Sequence, residues 1–193
     1  MSPYAYALLA QEAYAAKPDI GAADSASRAI IRNTADGLVV AFPGSDNFSC
    51  WEADFDAEPV EVGGVGKLHR GFWSSWQTIA ADVMKAIDGQ PVSLVGHSLG
   101  GAIAVCAAVS LVLAGKPPIA VYAYEPPRVS PDLGVRTLLA KMPVHLYWNG
   151  LDIVPSLPPD WQHAALPMHI GKPSLPFPNT LDHDLGKVIA ALA

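Results

Sequence analysis

Residues 91–114 read PVSLVGHSLGGAIAVCAAVSLVLA, and no other stretch restricts the fold as tightly. The first five residues are short, apolar and rich in valine, which suits a strand buried on both faces. Gly96-His97-Ser98-Leu99-Gly100 follows, then Gly101 and an apolar run of helical length. A G-x-S-x-G pentapeptide between a strand and a helix is the sequence of a nucleophile elbow. Its sharp turn puts the serine in a strained backbone conformation and lifts Oγ above the sheet edge. Side chains at Gly96 and Gly100 would collide with the neighbouring strand and helix. Ser98 also opens the helix, where unpaired N–H groups favour developing negative charge.

The rest of the chain alternates between strand and helix patterns. Residues 3–16 carry apolar side chains at helical spacing, and Pro18 closes them. Residues 27–32 and 37–42 read as strands joined by a turn at 33–37. Residues 60–66 hold three glycines and read as a flexible loop. A helix is expected from Trp73 to about Ile87, a central strand over 119–124, a short helix over 131–141 and a strand over 144–148. Residues 155–178 are proline-rich and read as surface loop, and 185–192 read as a closing helix. This alternation predicts an α/β fold with a mostly parallel central sheet flanked by helices, in one domain spanning 1–193.

A serine hydroxyl of ordinary acidity needs a base, and the base needs an orienting acid. Such folds place chemistry at the carboxyl ends of strands. Asp152 follows a predicted strand in a glycine turn and ranks above Asp132 and Asp160, which sit beside prolines. His183 leads as base because it lies on a loop opening the last helix; His169 is the alternative, His163 ranks lower, and His69 reads as structural. Two backbone N–H groups are expected to form an oxyanion hole: Leu99, after the nucleophile, and Ser45, in the Pro43-Gly44-Ser45 loop. Residues 47–59 mix Phe48, Trp51 and Phe55 with four acids. They read either as a substrate-facing flap or as a surface helix with its aromatics in the core.

Composition excludes other classes. A net charge of −6 with no basic cluster argues against a nucleic-acid partner. Of the two cysteines, Cys106 falls inside the helix behind Ser98, so a disulfide framework is not expected. Ala102 to Ala114 is too short to cross a bilayer. The N-terminal MSPYAYALLAQEAYAA has no positively charged leader and reads as a domain helix rather than a signal peptide. A cytoplasmic or otherwise soluble setting is therefore expected, with non-classical export left open.

Taken in order, these motifs resemble the class 3 (fungal-type) triacylglycerol lipases. The similar segments are Phe42-Pro43-Gly44-Ser45, Trp51-Glu52-Ala53-Asp54, Leu68-His69-Arg70-Gly71-Phe72, the elbow, Pro127-Arg128-Val129, the stretch from Asn149 to Pro155, and Asp182-His183. The resemblance implies an α/β-hydrolase fold with a minimal cap. It implies an ester hydrolase with Ser98, Asp152 and His183 as triad, Ser45 and Leu99 at the oxyanion hole, and residues 47–59 as a lid. It implies no metal or other cofactor, a lipid or small ester substrate, and transient contact with a lipid surface. A phospholipase, an acyltransferase and a catalytically silent binding module remain alternatives on the same fold. Two positions depart from the pattern: Pro43 stands where arginine is usual, and Glu125 where glycine is usual. Arg128 is the candidate partner for that acid.

Overall fold

Parallel strands β3 (Gly37–Phe42), β6 (Val92–His97) and β7 (Ala120–Tyr124) form the middle of the fold. The sheet continues in parallel through β8 (Val144–Asn149) to β9 (Met168–Ile170). On the other side, β2 (Arg28–Thr34) and β1 (Ile20–Gly21) pair antiparallel. The computed structural model describes residues 1–45, 58–176 and 179–193, and among them the sheet order is β1-β2-β3-β6-β7-β8-β9. A separate antiparallel pair is made by β4 (Pro59–Val62) and β5 (Gly66–His69).

Side chains on the central strands alternate between two cores, as a pleat of period two requires. Val40, Phe42 and Leu94 face a core with α2 (Arg70–Ile87) and α3 (Leu99–Leu113), including Trp76, Ile79, Val83 and Ile103. Val39, Ala41 and Val95 face α1 (Pro3–Ala15) and α5 (Leu185–Leu192) through Tyr6, Ala7, Ala10, Leu185 and Val188. Each large side chain buried this way contributes roughly 1.5–3 kcal/mol. Helix α3 is buried on nearly every side, which is why its sequence is apolar without an amphipathic stripe. No helix of the described residues is long and apolar enough to cross a membrane.

The sequence expectations need three local corrections. The stretch 60–66 is the turn of a hairpin, not a flexible loop: Gly64 and Gly66 adopt φ of +85° and +104°, and Val62 pairs with Gly66. Strand β2 extends through Asn33 and Thr34, leaving Ala35 and Asp36 as the turn. The proline-rich tail contains β9, three residues paired in parallel with β8, a length too short for any pattern to reveal. The short helix expected over 131–141 is α4 (Gly134–Leu139).

The carboxyl ends of β3, β6, β7 and β8 lie side by side at one edge of the sheet. They deliver the loop at 43–45, Ser98, Glu125 and Asp152 to one place.

Candidate active site

Ser98 joins β6 to α3 with φ +57° and ψ −128°, a region that costs a non-glycine residue on the order of 1–3 kcal/mol. Its N–H donates to the Tyr124 carbonyl at 2.9 Å, pinning the turn to β7. A Cβ on Gly96 would lie 2.7 Å from the Gly101 nitrogen, and one on Gly100 would lie 2.6 Å from the Pro43 carbonyl oxygen. Both glycines are therefore dictated by backbone crowding, on the helix side and on the β3 side respectively.

His183 comes from a single 3-10 turn, Leu181–His183, just before α5. Its Nε2 lies 2.8 Å from Ser98 Oγ, and its Nδ1 lies 2.7 Å from Asp152 Oδ2. The carboxylate can only accept, so Nδ1 carries the hydrogen and Nε2 presents its lone pair to the serine hydroxyl. Asp152 is fully buried, and its Oδ1 accepts from the Val154 N–H at 3.0 Å. A hydroxyl, an imidazole and a carboxylate in this sequence can carry a proton off Oγ and hold the resulting imidazolium.

The other candidate histidines point elsewhere. His163 Nε2 donates to the Pro155 carbonyl at 2.7 Å, and burial lowers its pKa to about 4. His169 stacks on Trp148 with ring centroids 4.8 Å apart. His69 caps α2 and stacks on Phe72 at 3.9 Å, the structural place expected of it. Asp132 binds the Lys67 and Gly134 N–H groups, far along the chain from the triad.

The loop carrying His183 is held by Asp182, a residue the sequence offered only as its neighbour. Its carboxylate accepts from the Leu151 and Ser174 N–H groups at 2.9 and 3.1 Å, from Ser174 Oγ, and from Lys187 Nζ at 3.2 Å. These donors hold its pKa below the ordinary carboxylate range despite its burial. Gly150 sits at φ +54° directly against that carboxylate, where any Cβ would clash. Asn149 Nδ2 donates to the Asp182 carbonyl at 2.9 Å, joining the end of β8 to the same loop.

Behind the triad lies a second polar layer. His97 Nε2 lies 3.1 Å from the His183 carbonyl and 3.2 Å from Glu125 Oε2. A carbonyl accepts, so Nε2 carries the hydrogen, and the bare Nδ1 accepts from the Tyr14 hydroxyl at 2.7 Å. Burial, together with the nearby charge of His183, keeps His97 neutral by pushing its pKa well down. Glu125 is fully buried, and burial followed by the charge of Asp152 pushes its pKa well up. Its hydrogen-bond neighbour is therefore His97, and Asp152 is the charge that acts on it; Arg128, the expected partner, donates to the Pro158 carbonyl at 3.3 Å. The facing nitrogens of His97 and His183 approach Glu125 within 4.8 Å, the spacing of a cation site. Both carry hydrogens here, so neither offers a lone pair to a metal.

The Pro43-Gly44-Ser45 loop lies against Ser98. A Cβ on Gly44 would meet the Tyr14 hydroxyl and come within 3.1 Å of Ser98 Cβ. Leu99, first residue of α3, has no acceptor for its N–H within the helix. Phe48, Trp51 and Phe55, expected to face substrate, lie outside the described residues.

Comparisons with known proteins bear on the family and the fold. Residues 39–161 match the family model of lipase (class 3). The chain is 33% identical over 144 residues to secreted mono- and diacylglycerol lipase A of Penicillium cyclopium, covering 70% of this chain and 47% of that one. It is 32% identical over 133 residues to secreted mono- and diacylglycerol lipase 1 of Fusarium solani, covering 63% and 39%. It thus spans about half, or less, of the length of these curated relatives. Among solved structures, the triacylglyceride lipase of Rhizomucor miehei superposes with a TM-score of 0.71 at 22% identity, over 93% of this chain and 90% of that one. The α/β-hydrolase fold expected from the sequence is the fold observed. The cytoplasmic expectation is overturned, because these relatives are named as secreted proteins.

Proposed function

The chain belongs to the class 3 lipase family, and on that premise we propose that it is a serine carboxylic-ester hydrolase with Ser98, His183 and Asp152 as its triad. One observation carries the reading: a single imidazole bridges Ser98 Oγ at 2.8 Å and Asp152 Oδ2 at 2.7 Å. His183 Nε2 takes the Oγ proton as Oγ bonds to the ester carbonyl carbon. The carbonyl oxygen becomes an oxyanion held by the N–H groups of Leu99 and Ser45, each donor worth about 10²–10³ in rate. The tetrahedral centre collapses, the C–O bond to the alcohol breaks, and His183 gives its proton to the leaving oxygen. Water, deprotonated by the same Nε2, then attacks the acyl-serine and releases the carboxylic acid.

The proposed substrates are fatty-acid esters of glycerol, met at a lipid surface. The names of the fungal relatives, mono- and diacylglycerol lipases, support that choice. Their description as secreted supports an extracellular site of action. The test is release of fatty acid from mono-, di- and triacylglycerol emulsions, measured by titration at constant pH. Release by the wild type and its loss in Ser98→Ala support the reading; equal release by both would end it. Adding an excess of short alcohol to the same reaction separates hydrolysis from acyl transfer.

A further inference from the structure

Glu125 has no part in the mechanism above, yet it is the acid most deeply placed beside it. It directly follows β7 with φ +51°, a left-handed conformation that side-chain-bearing residues rarely adopt. Its N–H donates to the Tyr147 carbonyl at 2.7 Å, so the strained residue is fixed in place. Its Oε2 lies 3.8 Å from His183 Nδ1, the nitrogen that faces Asp152. Asp152 Oδ2 lies 2.7 Å from that same nitrogen, so the two carboxyl groups converge on one imidazole N–H. Both are fully buried, and two buried carboxylates converging on one imidazole nitrogen disfavour each other's ionisation, so the pair holds one negative charge.

We propose that Glu125 is a second acid of the site, sharing a single negative charge with Asp152, so that either carboxyl can orient His183. The proposal rests on the triad reading above and deepens it. In the resting arrangement the charge belongs to Asp152, which receives the Val154 N–H and the His183 Nδ1–H, and Glu125 holds the proton. Burial and the Asp152 charge, which raise the pKa of Glu125, agree with this division. The titratable groups around the pair are His97 from β6, His183 and Asp182 from the C-terminal turn, and Tyr14 of α1 through His97. Among the described residues, the ion-pair partners of Glu125 are the two histidines, so no fixed cation dictates which carboxyl ionises. Removing the Asp152 carboxylate lets Glu125 release its proton to solvent and become the anion beside Nδ1. Glu125 acts through His183 and is thus a positioning residue.

The test is a double-mutant cycle on full-length protein with p-nitrophenyl butyrate, using Asp152→Asn, Glu125→Gln, the double variant and Ser98→Ala. Thermal melts check that each variant folds; Asp152→Ser replaces Asp152→Asn if the latter does not. Losing a triad acid outright costs about 10⁴ in rate. With Glu125 present to take over, Asp152→Asn is expected to lose only about 10²-fold, and the double variant about 10⁴-fold. Glu125→Gln alone, with Asp152 intact, should lose less than about tenfold. A merely structural Glu125 would give the same penalty in both backgrounds. Equal penalties, or an Asp152→Asn variant already at the level of the double, overturn the proposal while leaving the triad reading intact. Activity in Ser98→Ala equal to wild type overturns both.

Discussion

The Tyr14 hydroxyl donates to His97 Nδ1 at 2.7 Å across 83 residues of sequence, and His97 in turn holds the His183 carbonyl at 3.1 Å. The N-terminal helix is thereby joined to the loop that carries His183. Tyr14→Phe removes the first link. Losing one buried hydrogen bond is worth about 0.5–1.5 kcal/mol, or roughly 3–10-fold in rate. The expected result is a kcat lowered by that factor with KM little changed, read from steady-state kinetics on p-nitrophenyl butyrate. An unchanged kcat would show that His97 holds its position without α1.

Gly100 faces the end of β3 so closely that a Cβ would sit 2.6 Å from the Pro43 carbonyl oxygen. Gly100→Ala must push the elbow away from the 43–45 loop. Overpacking of this kind costs about 1–3 kcal/mol, and displacing Ser98 from the oxyanion donors by an ångström costs about 10² in rate. Melting curves and kcat should both fall, the kcat by more than stability alone accounts for.

Much of this arrangement was legible in the chain, and particular residues show why. Gly96 and Gly100 announce the elbow because backbone crowding leaves no other residue type possible. Asp152 and His183 stand out because one follows a strand in a glycine turn and the other opens a helix. Glu125, His97 and Tyr14 did not stand out as a group. They lie on three separate elements, and only the register of β6 against β7, with His97 opposite Tyr124, brings them together. Asp182 was hidden for a similar reason: its donors Leu151, Ser174 and Lys187 are scattered along the chain. Strand β9 was missed because three residues between prolines carry no periodicity.

Asp182 anchors the His183 loop as a carboxylate, so an amide of the same shape should not replace it. Hydrogen bonds to a charged group are worth about 1.5–3 kcal/mol, and Asp182→Asn is expected to lose stability in that range together with kcat. The folded state depresses the pKa of Asp182. Its stabilisation is therefore complete above the ordinary aspartate value and disappears as pH falls through the lower folded value. Denaturant unfolding of wild type and variant at pH 7 and at pH 2.5 should show their difference shrinking at the lower pH.

His163 gives a pH dependence of related sign in a higher window. Burial holds it neutral, with a folded pKa of about 4 against an unfolded value near 6.5. The unfolded chain binds the proton first, so stability is full above about 6.5 and is lost as pH falls toward 4. His163→Gln keeps a donor for the Pro155 carbonyl but cannot titrate. Melting temperatures measured from pH 7 to pH 4 should fall less steeply in the variant than in wild type. Parallel curves would mean that His163 does not contribute to the acid instability.

The most direct test of the central claim is active-site labelling with a fluorophosphonate, which reports an activated serine whatever the natural ester. The account predicts one label per wild-type chain, located on Ser98 by peptide mass spectrometry. It predicts none in Ser98→Ala and labelling slowed by several orders of magnitude in His183→Ala. Wild-type protein that is folded yet unlabelled, or labelling that proceeds equally well without His183, would contradict it.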